Sequence, residues 1–421
     1  MKNMEENIMI LDCTKYTGPC ECGRDHELRT KLVVCEYGAQ DNFDKYMEDI
    51  GLTGFRTVIY DTVTYNLPSV KHIKADQEII LEAQGLHSEK GMIEDMMKQL
   101  VRKPDHIVVV GAGTLMDFGR YSAFQLDIPF VAIPTLVSSD GFTANICSIV
   151  IDGQKKSIPM VAPDAVICDL DIVKGAPMWL NISGVQDILS KHCSIADWKI
   201  ANLVSGEYFC QKVCDMAQDA LDVMVKCAND LRDGKPADFE AMAYAQMMSG
   251  LTMQILNHSR AASGAEHLIA HLVEMKPKGF ENANGIHGRC VGVGTVLCAE
   301  EYHRLAEKET IEVKPFEALD PAWVEEVFTE RLAGGVFKEN ENDVLNTFPA
   351  ENLKEKWPEI RELIAKIPTA EELIELFKAL DAAYQLEDIG IDNNMKREAL
   401  DVSAAIRNRL TLNRMRRLIV E

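Results

Sequence analysis

No stretch of this 421-residue chain is apolar for long enough to cross a bilayer. The internal runs "HIVVVGAG" and "DIPFVAIPTL" fall well short of the roughly 20 residues a spanning helix requires. The opening "MKNMEENIMILDC" carries acidic groups and lacks the apolar centre of a secretory signal. A basic surplus is missing too. With 44 Lys and Arg against 66 Asp and Glu, the formal charge of -22 argues against bulk attraction to nucleic acid or to an anionic membrane, and leaves room only for a local basic pocket. Tandem repeats and long low-complexity tracts are absent. The 12 cysteines are scattered without a disulfide framework, so most are read as reduced core thiols of a cytoplasmic protein without membrane insertion.

What is present suggests roughly two to three domains by length. "KLVVC" (31–35), "RTVIY" (56–60), "HIVVV" (106–110) and "FVAIP" (130–134) are short apolar runs of buried-strand type, and "SEKGMIEDMMKQLVRK" (88–103) has helical spacing. Together they predict an α/β domain with a mostly parallel sheet over 1–175. From 176 the texture changes. "SGVQDILSKHCSIADWKIANLVSG", "FEAMAYAQMMSGLTMQILNHS", "AASGAEHLIAHLVEM" and "EELIELFKALDAAY" predict a predominantly helical domain over 176–421. The prolines of "IEVKPFEALDPAW" (311–323) mark a connection.

In "HIVVVGAGTLMDFGRY" a buried strand runs into glycines and then a helix. Gly111 and Gly113 would let a phosphate approach closely, and backbone donors near Thr114 would meet it, although a tight turn serving packing alone has the same pattern. The dinucleotide fingerprint is incomplete because its final glycine is missing. A second loop, "PTLVSSDGFTAN", offers Thr135, Ser138, Ser139, Asp140, Thr143 and Asn145 to a ligand or simply to solvent. Asp61, after "RTVIY", is a candidate acceptor for a ribose hydroxyl or an ordinary strand-end Asp.

Three histidines stand out. His267 and His271 are four residues apart and share a helical face, while His287 follows in "NGIHG". Two imidazoles with a carboxylate such as Asp187 would leave open positions on a divalent metal, and spacing alone does not choose which histidines contribute. A zinc-protease helix is excluded, because Leu268 occupies the position of the general-base Glu. In "CECGRDH", Cys20, Cys22 and His26 could meet at a metal, but one intervening residue is a poor spacing and no spaced fourth ligand follows, so a structural zinc is not expected there.

Taken in order, "GAGTLMDFGRY", "IPTLVSSDGFTAN", "SGVQDILSKHCSIADWKIA", "SRAASGAEH", "HGRCVGVGT" and "IRNRLTLNR" resemble the bacterial sn-glycerol-1-phosphate dehydrogenases of the iron-containing alcohol dehydrogenase and dehydroquinate synthase-like superfamily. That resemblance implies a Rossmann-like cofactor domain followed by a helical metal-binding domain, and covers most of both. It implies one divalent ion (zinc, nickel or iron(II)) on Asp187, His267 and His287. His271 and Asp140 would orient the substrate or relay a proton. It implies NAD(H), with NADP(H) also open, against Gly111, Gly113, Thr114, Asp117, Thr135 and Ser138, with Asp61 on the adenosine ribose. The implied reaction is reversible hydride transfer between the reduced cofactor and dihydroxyacetone phosphate, giving sn-glycerol 1-phosphate, with a homo-oligomer left open. A polyol dehydrogenase and an inactive nucleotide-binding or structural protein are the competing readings.

The chain departs from the family in two places. Ala112 stands where relatives often have glycine, and Arg289 replaces a common acidic residue, where it would meet a substrate phosphate or sit in an exposed salt bridge. The partners of Arg407, Arg409 and Arg414 do not follow from the sequence.

Overall fold

Seven segments rich in Val, Ile and Phe or Tyr form one sheet in the computed structural model, which describes residues 8–151 and 154–420. They are β1 (Ile8–Leu11), β2 (Leu32–Glu36), β3 (Arg56–Asp61), β4 (Gln77–Leu81), β5 (His106–Gly111), β6 (Phe130–Pro134) and β7 (Ala165–Asp169). Their spatial order is β1-β2-β7-β6-β5-β3-β4. All neighbours are parallel except β1, which runs antiparallel to β2. β5, β6 and β7 are buried at every position, as strands covered on both faces must be, whereas β4 at the edge alternates between exposed and covered residues. Val34, Val58, Val108, Val110, Ile133 and Ile167 make one core layer with Phe43 and Met47.

The main helices, in chain order, are α1 (Lys90–Met97), α2 (Gly113–Leu126), α3 (Met178–Leu189), α4 (Lys191–Ser205), α5 (Gln211–Arg232), α6 (Phe239–Leu256), α7 (Ala265–Met275), α8 (His287–Ala306) and α9 (Lys396–Ile406). The helix expected over 88–103 stops early. Beyond Met97 the chain turns through Leu100 toward Pro104, and Val101 is 75% exposed, so no apolar face remains to carry another helical turn. The expected 311–323 connection ends three residues early: Pro321–Trp323 already form the first turn of a helix, because Pro is favoured at that position and Asp320 accepts from the Ala322 N–H.

Two compact units result. The first holds Met1–Ile188, Asp222–Asp230 and Lys235–Ser259, and the second holds Leu189–Leu221, Leu231–Gly234 and Arg260–Glu421. In the first, the chain moves outward from β3 to β4 and then returns to place β5 and β6 on the opposite side of β3. The sheet therefore has its topological switch between β3 and β5, where parallel α/β sheets open a crevice at the strands' carboxyl ends. In the second, Asp197 of α4 is a buried hub. Its carboxylate accepts from the N–H groups of Ala265 (2.9 Å) and Leu412 (2.8 Å) and from the Tyr302 hydroxyl (2.9 Å), fixing the start of α7 and the C-terminal segment. Burial, with the nearby Glu266 carboxylate, pushes Asp197 up to about 7. Of the C-terminal arginines, Arg414 pairs with Asp343 at 2.8 Å, Arg409 donates to the Ser263 carbonyl at 2.6 Å, and Arg407 lies 3.9 Å from Glu339.

Candidate active site and metal centre

The switch crevice collects the expected nucleotide residues. β3 ends at Asp61 and β5 at Gly111, two positions beyond the register pair of Ile59 with Val109. Gly111 pairs with Pro134, and the Thr135 N–H donates to the Gly111 carbonyl at 3.1 Å, so the two polar loops start side by side. The glycines have different jobs. A Cβ on Gly111 would come within 2.3 Å of the Leu115 side chain, whereas one on Gly113 would meet nothing within 4 Å. Gly111 thus leaves room for the Leu115 side chain, and Gly113 opens the first turn of α2, where helix N–H groups would meet an anion. Ala112 caps that helix in an extended conformation. Gly119 lets α2 lie close on β5, since its Cβ would sit 2.3 Å from Val109. This is the close-packing duty of the glycine judged missing, displaced along the helix.

Other candidates in this unit divide by their partners. Asp61 Oδ1 accepts from the N–H groups of Val63 (2.9 Å) and Thr64 (2.7 Å), which leaves Oδ2 for a ligand. Asp117 is buried, with Oδ1 accepting from Arg120 at 2.8 Å and Oδ2 from Ser88 at 3.0 Å, an arrangement that anchors α2. Ser138 and Thr114 stay partly exposed near these loops. The Asp140 N–H donates to Asp187 Oδ2 at 2.9 Å, and the Asp140 carboxylate accepts from Ser249 Oγ at 2.8 Å.

Asp187 stands in the last turn of α3, whose final residue begins the second unit. His267 lies in the first turn of α7, and His287 is the first residue of α8. One ligand atom from each of Asp187, His267 and His287 lies within 4.8 Å of the others, a span that one ion with bonds of about 2.0–2.2 Å can close with small side-chain shifts. The two rings are 5.4 Å apart by centroid and inclined at 61°. His267 Nδ1 sits 2.9 Å from Glu266 Oε1, so Nδ1 carries the proton and Nε2 is left as the neutral ligand nitrogen. The donor set and the oriented imidazole fit a divalent ion with open positions.

Comparison with known proteins places the chain in a family. The sequence pattern of the family described as iron-containing alcohol dehydrogenase matches residues 34–177. The glycerol-1-phosphate dehydrogenase [NAD(P)+] of Bacillus licheniformis is 30% identical over 310 residues, spanning 71% of this chain and 77% of that protein. The chain belongs to the glycerol-1-phosphate dehydrogenase branch of the iron-containing alcohol dehydrogenases. The protein of the same description from Halalkalibacterium halodurans is 27% identical across 96% of this chain and 97% of its own length. Among solved structures, an iron-containing alcohol dehydrogenase from Corynebacterium glutamicum shares the fold at 16% identity, with a TM-score of 0.56 and coverage of 94% of this chain and 97% of that one.

Within this dehydrogenase, His271 does not join the cluster despite sharing a helical face with His267. Its Nδ1 faces Glu274 Oε2 at 3.4 Å, and burial pushes the imidazole down to about 4, so it is neutral near pH 7. Arg289, half-buried on α8, makes neither an ion pair nor a hydrogen bond among the described residues, so the salt-bridge alternative for it is not realised. Glu266, one residue before His267, belongs to no motif that the sequence alone marks. Its carboxylate is fully buried and also accepts from the Gly264 N–H at 2.7 Å, so it is rigidly held behind His267. Glu266→Gln, which can still occupy the space but binds the ring without charge, should weaken metal affinity about 10- to 100-fold. Competition with a chelator reads this directly, and undiminished affinity would remove Glu266 from the site.

Proposed function

We propose that the chain is an NAD(P)-linked, metal-dependent sn-glycerol-1-phosphate dehydrogenase. The observation that carries this reading is the convergence of Asp187, His267 and His287 in a chain related along its length to glycerol-1-phosphate dehydrogenases. In the reductive direction dihydroxyacetone phosphate, the reduced nicotinamide and one proton give sn-glycerol 1-phosphate and the oxidised nicotinamide. When bound, the divalent ion (zinc, nickel or iron(II)) supplies polarisation of the ketone oxygen, and the nicotinamide supplies the hydride.

The chain's own residues do the holding. Asp187 and the two imidazoles would hold the ion, Glu266 fixes the tautomer of His267, and the Asp140 backbone N–H fixes the Asp187 carboxylate. Asp140 is thereby a positioning residue. The new alcohol oxygen needs a proton, and His271 is suited to relay one. A neutral imidazole can give up the proton on one nitrogen while taking another on its second, and Glu274 faces Nδ1 as the exchange partner. Residues 1–175 take the nicotinamide, with Gly113, Thr114, Thr135 and Ser138 near the pyrophosphate. Asp61 Oδ2 would accept from the adenosine ribose, favouring NAD(H) over a cofactor with an extra phosphate there. Residues 176–421 carry the metal and substrate. The same reading makes it a cytoplasmic enzyme with a small anionic substrate, consistent with the lack of any helix, among the described residues, long and apolar enough to cross a membrane.

A stereospecific assay tests this function. The purified protein, given dihydroxyacetone phosphate, a divalent metal and NADH or NADPH in parallel, should release sn-glycerol 1-phosphate, because holding the phosphate and the ketone oxygen exposes only one carbonyl face. Release of the 3-phosphate enantiomer alone would reject the function, and faster turnover of dihydroxyacetone would favour a polyol dehydrogenase.

A further inference from the structure

The Cys-x-Cys segment at the N-terminus lacked a fourth ligand in the sequence, and the structure supplies one. Gly18–Pro19 and Asp25–His26 pair as a short antiparallel hairpin, with Gly18 opposite His26. Its turn is drawn tight by the Gly23 N–H donating to the Cys20 carbonyl at 3.0 Å, with Gly23 at φ +84°. Cys22 Sγ consequently lies 3.3 Å from His26 Nε2. Cys210, one residue before α5, arrives at the same point. One ligand atom from each of Cys20, Cys22, His26 and Cys210 lies within 4.8 Å of the others.

We propose that these four residues form a second, structural zinc site. Bonds of about 2.3 Å to sulfur and about 2.0 Å to nitrogen at tetrahedral angles put ligand atoms roughly 3.5–3.8 Å apart, inside the 4.8 Å that bounds this cluster. Three thiolates and an imidazole select zinc among abundant divalent ions, and four protein ligands leave no position for substrate. The site is therefore not catalytic. Its burial suits a permanent ion, since His26 is 2% exposed and Cys210 is fully buried while Cys20 and Cys22 are half-covered. Bound zinc would hold all three thiols as thiolates. The dehydrogenase would then carry two unlike centres. The N2O set of Asp187, His267 and His287 could take nickel or iron while the thiolate-rich set kept zinc.

The test uses the intact chain purified under reducing conditions. Metal analysis should find two ions per chain, and titrating the thiols of the wild-type protein with a mercurial reagent should release one equivalent of zinc to a colorimetric chelator, with no variant needed. Cobalt substitution should add a near-ultraviolet thiolate-to-cobalt charge-transfer band, which the sulfur-free Asp187 centre cannot produce. The band should survive His267→Ala and disappear in Cys22→Ser combined with Cys210→Ser. Absence of the band and of mercurial-released zinc in the folded wild type would overturn the proposal, as would a disulfide among these cysteines in place of the metal.

Discussion

His267→Ala is expected to lower kcat/KM by on the order of 10³-fold or more, because it removes an ion-holding nitrogen and with it the charge stabilisation on which the ketone reduction depends. A second loss accompanies it. The substitution also strips Glu266 of its ring partner, leaving a fully buried carboxylate held only by the Gly264 N–H, which costs about 1–3 kcal/mol of stability. Asp187→Asn separates the two effects. The amide oxygen can still accept from the Asp140 N–H, so the fold should persist while the ion is lost from this centre. Metal analysis, thermal melting and steady-state rates on both variants decide the matter. A folded His267→Ala protein with wild-type turnover and its full active-centre metal would refute the ligand assignment.

Gly184→Ala should be among the most damaging single-methyl changes in the first unit. A Cβ at this position of α3 would lie 1.8 Å from the Val137 carbonyl oxygen and 2.6 Å from Gln246 Nε2. The first obstacle is backbone and cannot rotate away. The 137–140 loop is also tied along the same helix, by the Val137 N–H to Asn181 Oδ1 at 3.1 Å and by the Asp140 N–H to Asp187 Oδ2 at 2.9 Å. Forcing the loop off α3 should cost about 3 kcal/mol through overpacking. It should also loosen Asp187 and weaken metal affinity about 10- to 100-fold, the range for losing a supporting contact. Thermal melting and chelator competition measure the two effects. An unchanged melting temperature with undiminished metal affinity would show that the loop does not rest on this helix.

Much of the fold is legible from local pattern. "HIVVV" and "FVAIP" read as buried strands because they are apolar apart from the leading His106, and each lies fully buried within one residue of its expected bounds. "AASGAEHLIAHLVEM" reads as a helix with both histidines on one face, and it is one from Ala265 onward, the first four residues lying outside the helix because Gly264 caps it in a non-helical conformation. "SEKGMIEDMMKQLVRK" fails in its second half, where periodicity continued in the sequence without a surface to bury. Asp117, read as a cofactor contact in the resemblance, has both oxygens engaged by Ser88 and Arg120, because a neighbouring loop and its own helix reach it first.

The sequence by itself determined four of the sheet's seven strands and most of the long helices it named, the acidic net charge and the residue types able to hold a metal. These depend on side chains a few positions apart, and the 3.6- and 2-residue periods fix which of them share a face. Only the tertiary structure decided the partners. Whether His267 meets His271 or His287, whether a fourth ligand joins Cys20, Cys22 and His26, and which glycine lets α2 rest on β5 all turn on atoms distant in the chain. Helical spacing can put two imidazoles on one face, but convergence on a single ion requires side-chain vectors from different elements to meet at one point. For the two imidazoles that meeting is set by how α7 and α8 pack, with α8 brought against α7 at Gly294, where a Cβ would lie 2.3 Å from the Glu266 carbonyl oxygen.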